Sequence, residues 1–156
     1  MHQDLLRRDL VQLDWEVDSQ DEFFDRVVAR LQARGYVKDT FLAALKAREE
    51  TYPTALPTQP EAIAIPHSDA VHVITPFIAV TRLARPVTWH EMANNDATHP
   101  VRFIFLLGLT KEDGHVEVLQ LLLDRFQDPS FMDALSAART EDELFDALAT
   151  MSGPQA

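Results

Sequence analysis

The sequence predicts an α/β fold: a single domain in which a mixed β-sheet is flanked by helices on both faces. Three observations carry this. The chain has 156 residues, 46% apolar and 25% charged, which is the composition of one globular domain with its own core. Segments of helical period lie towards both ends, with strand-like apolar runs among them, so helices and strands are interleaved. Seven of the nine prolines fall between Pro53 and Pro100, so that stretch is strands and loops rather than helix.

In chain order, Leu10 to Val17 alternates apolar and polar residues, as a strand with one buried face does. Ser19 and Glu22 have capping-box spacing. The segment behind them, to about Arg34, places Phe23, Phe24, Val27, Val28 and Leu31 on one helical face. Gly35 supplies the residue that ends the helix. Asp39 is the expected cap of a second helix, with Phe41, Leu42 and Leu45 as its stripe; it runs to about Glu50, and Pro53 ends it. Ala62 to Ile65 is a short apolar run stopped by Pro66. Phe77 to Leu83 and Val101 to Leu109 are the most apolar runs, and their β-branched and aromatic content predicts strands. The second is nearly continuous, which predicts burial on both faces. Val116, Leu119, Leu122, Leu123 and Phe126 then recur at helical spacing. A short helix is expected after Pro129. Thr140 and Glu143 form a second capping box opening a last helix through about Ala149.

Composition excludes several function classes. Fourteen Lys and Arg against twenty-five Asp and Glu give a net charge of −11, with no basic block, which argues against a nucleic-acid partner. Ten of the acids and only three of the bases lie in residues 110–156, so the middle of the chain is nearly neutral. The absence of cysteine removes disulfides, thiol nucleophiles, iron–sulfur clusters and Cys-ligated zinc, and suits a reducing compartment. No apolar run approaches the ~18 residues of a membrane span, so no direct membrane insertion is expected. Residues 1–13 are interrupted by charges and do not read as a signal peptide. The expectation is a cytoplasmic domain.

The candidates for chemistry are six histidines, the carboxylates, and scattered Ser and Thr. G-x-S-x-G, Walker A, G-x-G-x-x-G and H-E-x-x-H are all absent, and no histidine pairing at metal-ligand spacing occurs, so no cofactor or metal is implied. His67 stands in Ile63-Ala64-Ile65-Pro66-His67-Ser68-Asp69. A strand delivers the chain to a proline that fixes φ and has no N–H, so the ladder is expected to stop there. The imidazole then sits at a strand end, where α/β sheets present ligand sites. The plain alternative is a loop histidine at a strand exit. His115 follows Gly114 at the start of the Val116–Phe126 helix. If Asp113 caps that helix, His115 lies in its first turn, among N–H groups that favour an anion; otherwise it is a solvent-facing residue. Arg48 ends the second helix, where it either complements the helix dipole or aims a charge at an anion. His2, His72, His90 and His99 read as structural or solvated.

Taken in order, these pieces resemble the enzyme IIA domain of the bacterial sugar phosphotransferase system, of the fructose/mannitol type. The pieces are Arg48-Glu49-Glu50, Tyr52-Pro53-Thr54-Ala55-Leu56-Pro57, the Ile63-to-His67 core, strand 77–83, Arg85-Pro86-Val87, strand 101–109 and His115 before a Leu-rich helix. The likeness spans about residues 8–150, within one domain of residues 1–156. Pro53-Thr54-x-Leu56-Pro57 and Pro66-His67-Ser68-Asp69 look most like the galactitol-type subgroup, with Ser68 where many relatives have Gly or Thr. The resemblance implies a mixed sheet flanked by helices. It implies that His67 is phosphorylated, that His115 is a second active-site histidine contacting the phosphoryl group, and that Arg48 stands beside them. The donor would be the histidine-containing phosphocarrier protein. The acceptor would be a IIB component, which serves a sugar carried by the membrane IIC component. The attacking nitrogen implied is Nε2; the residues themselves leave it open.

Two other readings follow from the same residues. One is a regulatory phosphohistidine module of the nitrogen-related type, acting by protein binding. The other is a metal-dependent hydrolase using the histidines. The Pro53–Pro57 segment favours transport.

Overall fold

The computed structural model describes residues 5–110 and 114–150, with the side chains of Gly114 and His115 excepted. The expected Asp113 cap and His2 lie outside the described residues. The order is β1 (Leu6–Trp15), α1 (Gln20–Ala33), α2 (Phe41–Thr51), β2 (Ala55–Leu56), β3 (Ala62–Ala64), a 3-10 turn (Ala70–His72), β4 (Phe77–Glu91), β5 (Asn94–Gly108), α3 (Gly114–Phe126), α4 (Pro129–Ala137) and α5 (Glu141–Ala149).

The sheet is mixed. β4 and β5 form a long antiparallel hairpin, β1 runs parallel to β4, β3 runs parallel to β5, and β2 pairs antiparallel with β3. Period-2 alternation sorts the hairpin onto two cores. Phe77, Ala79, Leu83, Ile104 and Leu106 face α1 and α2; Ile78, Val80, Phe103, Phe105 and Leu107 face α3, α4 and α5. This is why both runs read as continuously apolar: each strand centre is covered on both faces. Phe24 meets Trp89 edge-on at 5.5 Å in the first core, and Phe105 meets Phe126 at 5.0 Å in the second. Gly108 lies opposite Phe77, whose ring occupies the space a Cβ would need.

The helix ends follow local chemistry. Ser19 Oγ accepts from Glu22 N–H at 3.1 Å, while the Glu22 carboxylate reaches back to Asp18 N–H, one residue before the cap. The second box repeats this: Thr140 Oγ1 accepts from Glu143 N–H, and Glu143 accepts from Arg139 N–H. Gly35, at φ +80°, takes the left-handed position just past α1 that glycine adopts without strain. At α2 the expected cap is corrected. The N-cap is Thr40, without a side-chain cap bond, and Asp39 lies one residue before it.

The strands run further than the sequence predicts. β1 begins at Leu6 and ends at Trp15, rather than spanning Leu10–Val17. β4 continues past Pro86 to Glu91, and β5 begins at Asn94 rather than Val101. Pro86 is tolerated because it lies in an irregularity between the Arg82 and Val87 pairs, where the ladder skips residues. Arg82, turned towards the second core, donates to the carbonyls of Leu135 and Ser136 at 2.9 and 3.1 Å, closing the end of α4 with a positive charge.

Candidate active site

β3 and β5 run parallel, so their C-terminal ends lie at one end of the sheet. His67 stands there. The ladder does not stop at Pro66 as expected. Proline lacks an N–H but keeps its carbonyl, which accepts from Leu107 N–H at 3.0 Å, and His67 makes a parallel bridge to Leu107. The histidine is therefore held on the end of β5, half-buried, with Ser68 buried behind it and Asp69 exposed.

The His67 ring is oriented by its own backbone. Nδ1 lies 3.0 Å from the carbonyl oxygen of Ile65. A carbonyl can only accept, so Nδ1–H donates, and in the neutral ring the lone pair is then on Nε2. Ile65 is itself tied down on its other side, where its N–H donates to Thr54 O at 3.2 Å.

Arg48 is in the last turn of α2 and comes to the same place. Nη1 lies 3.9 Å from Asp69 Oδ1, two residues beyond His67, and its guanidinium covers the Tyr52 ring at 5.3 Å. Its Nε is buried and has no hydrogen-bond partner among the described residues. A guanidinium whose Nη1 approaches this strand end is chemically able to meet an anion there.

His115 is the second residue of α3, which begins six residues after β5 ends. The remaining described histidines are engaged elsewhere: His72 with Thr40 Oγ1 at 2.7 Å, His90 with Asn95 O at 2.8 Å, and His99 with Glu91 at 2.7 Å. Among the described residues no three His, Asp or Glu side chains converge as a metal-ligand set.

One residue of this neighbourhood escapes the sequence reading. Glu49 is only 5% exposed, and its carboxylate accepts from Thr54 N–H, Thr54 Oγ1–H and Trp89 Nε1–H, each at 2.8 Å. Burial pushes its pKa above the ordinary value; the bonds from Thr54 and Trp89 and the charge of Arg48 oppose this without cancelling it. The signal was available. Glu49 continues the Phe41, Leu45 series at intervals of four, so it lies on the buried stripe of α2.

Comparison with known proteins gives the family and the fold. The galactitol-specific EIIA component of Escherichia coli is 29% identical over 114 residues, covering 73% of this chain and 75% of that protein. The nitrogen regulatory protein IIA-Ntr of Neisseria meningitidis superposes with a TM-score of 0.75 at 27% identity, covering 94% of this chain and 98% of that one. Enzyme IIA mannitol, solved in complex with phosphorylated enzyme IIB mannitol from Escherichia coli, has the same fold: TM-score 0.74, 22% identity, 92% and 96% coverage. The model of the family described as "Phosphoenolpyruvate-dependent sugar phosphotransferase system, EIIA 2" matches residues 4–151. With its mixed sheet, helices on both faces and the IAIPH strand exit, the chain belongs to that enzyme IIA family.

Proposed function

We propose that this protein is a phosphoryl carrier of sugar uptake, accepting phosphate on His67 from the histidine phosphocarrier protein and passing it to a IIB component. The observation that carries the reading is the Nδ1–H bond of His67 to Ile65 O, which gives Nε2 the lone pair at an accessible strand end. Nε2 attacks the phosphorus of the carrier's phosphohistidine. The Nε2–P bond forms as the carrier's N–P bond breaks, and the electron pair returns to the carrier's imidazole. The Nδ1 proton stays in place. Its bond to Ile65 O strengthens as the ring gains positive charge.

The transition state spreads negative charge over three equatorial oxygens, so positioned donors supply most of the catalysis. Arg48 is one, through its guanidinium beside the His67 segment. His115 and the N–H groups at the start of α3 are the others, by the family resemblance and by their place after β5. No metal or nucleotide enters the step. Exposed Tyr52, Val71 and Ile74 (62%, 63% and 53%) lie in the segments flanking Arg48 and His67, and apolar surface of this kind suits a protein partner. The chain acts as one enzyme IIA unit, about residues 8–150, in the cytoplasm. IIC is reached only indirectly, through IIB. The galactitol-specific relative supports galactitol or another polyol as the sugar.

Incubation with phosphoenolpyruvate, enzyme I and the phosphocarrier protein tests the reading by intact mass. One phosphoryl group is expected, labile to acid and stable to base. An acid-stable adduct would mark Ser or Thr and overturn it. The likeness to the nitrogen regulatory protein favours a second reading, a phosphohistidine signal read by protein binding. Transfer from His67 to a IIB component supports transport; phosphorylation with no IIB acceptor supports regulation.

A further inference from the structure

Glu49 is a carboxylate buried one residue from Arg48, and no step of phosphoryl transfer uses it. A line of hydrogen bonds, joined through the backbone of Thr54 and Ile65, leads from it to the nucleophile. Trp89 Nε1–H and Thr54 N–H both donate to Glu49 Oε2, and the Thr54 hydroxyl donates to Oε1. The Thr54 carbonyl accepts from Ile65 N–H at 3.2 Å, and the Ile65 carbonyl accepts from His67 Nδ1–H at 3.0 Å.

We propose that Glu49 is a positioning residue for phosphoryl transfer: by clamping the Thr54 peptide it fixes Ile65, and so the place and tautomer of the His67 ring. The inference rests on His67 being the phosphoryl acceptor. Thr54 is held on both sides, its N–H by α2 and its carbonyl by the strand that ends at His67. A shift of Thr54 therefore moves the Ile65 peptide, and Pro66, with φ fixed by its ring, leaves little slack before His67. The same last turn of α2 carries Arg48. One anchor thus sets both the charge and the nucleophile relative to a common helix end.

A carboxylate suits this place where an apolar side chain would not. Leucine at position 49 would fill the volume but leave the buried Thr54 N–H and Trp89 N–H without acceptors. Glutamine keeps the geometry. Its carbonyl can accept the two N–H groups, and its NH₂ can donate to the Thr54 hydroxyl, which turns to accept. The hydrogen-bonded shape, rather than the charge, is the requirement.

The test compares Glu49→Ala with Glu49→Gln. The ring nitrogens of His67 are read by long-range ¹H–¹⁵N NMR, and phosphorylation is read by transfer from the phosphorylated carrier protein. A free imidazole in water prefers its proton on Nε2. Glu49→Ala should therefore lose the pure Nδ1–H signature and slow transfer about tenfold, since a misplacement of 1 Å costs up to ~10²-fold. Glu49→Gln should keep the parent's signature and rate. Val28→Ala, which removes buried methyls of α1 and takes part in none of these hydrogen bonds, is the control for lost stability and should leave the ring signature unchanged. A folded Glu49→Ala with the parent's ring signals and rate overturns the proposal. So does a Glu49→Gln ring that moves as far as the alanine's, or a Val28→Ala that moves it equally. Should Glu49→Ala not fold, Thr54→Val, which replaces the hydroxyl by a methyl and leaves Glu49 Oε1 without that donor, carries the same test with the same sign. The ring signature needs no phosphate, so a parent that takes none would sink the carrier reading while this test still reports.

Discussion

Arg48→Ala should separate function from stability. On the folding side the losses are small. The ion pair to Asp69 is 3.9 Å long and both side chains are exposed, at 37% and 65%, so it is worth roughly 0–1 kcal/mol. The contact with Tyr52 adds about 0.5–1 kcal/mol at an exposed site. Against these, alanine is the better helix former, and the substitution removes the buried Nε that has no partner among the described residues. The net change should lie within about 1 kcal/mol, a few degrees in Tm for a chain of this size. On the catalytic side, a positioned donor that meets the equatorial oxygens is worth about 2.7–4 kcal/mol, or 10²–10³ in rate. The assay is rapid-quench phosphorylation by the phosphorylated carrier protein at saturating concentration, with a thermal melt of the same sample. Saturation matters, because a docking role for Arg48 would vanish there while a transition-state role would not. Arg48→Lys should fall between, since an ammonium supplies charge without the planar fork. A rate within threefold of the parent at saturation would return Arg48 to a helix-end charge and refute the reasoning.

Three further outcomes are expected. His67→Ala should take up no phosphate, whereas His115→Ala should charge 10²–10³-fold more slowly and discharge to IIB poorly, both with the parent's circular dichroism; a His115→Ala protein charged at the parent rate would remove that residue from the site. Charge reversal at Glu141 and Asp142 should leave transfer within about twofold, because the pair of Asp142 with Arg8, at 2.6 Å, is exposed on both sides; a large loss with the fold intact would move the docking face there. Glu49 should give a pH signature of definite sign. Its pKa is raised in the folded state, so the folded chain binds more protons than the unfolded one above the ordinary value of 4.5, and stability is lost as pH rises through that window. Thermal melts of parent and Glu49→Gln from pH 4 upwards should show the variant gaining relative to the parent as pH rises, and a constant difference would contradict the raised pKa.

The parts of this molecule that were legible in the sequence are those where a local rule and the tertiary structure agree. Both capping boxes, the glycine after α1, the stripe of α1 and the two-faced burial of residues 101–109 need only neighbours within a few residues, and each rule points the same way as the core. The hairpin beyond Leu83 was not legible because its support is non-local. Pro86 and Pro100 argue against strand, and no Asn-Gly or Asp-Gly marks the turn at Met92 and Ala93, where Ala93 itself takes φ +64°. What permits strand there is register. Pro86 falls in a ladder irregularity, and β3 pairs with β5 only from Val101 onward, so Pro100 lies beyond that pairing.

The site divides along the same line. A proline followed by histidine at the end of an apolar run marks His67 as a candidate by position, whereas a helix end by itself reads Arg48 as a dipole complement and only the family resemblance singles it out. Glu49 is passed over for a different reason. A carboxylate in a helical pattern is read as solvent-facing, because burying one without acceptable partners costs several kcal/mol. Here the partners exist, but they come from five and forty residues away, Thr54 and Trp89, and pattern rules weigh neither. A charged residue standing at the interval of a buried stripe is therefore better read as a question about distant donors than as a break in the stripe. In this fold the answer to that question runs through Thr54 and Ile65 to the imidazole of His67.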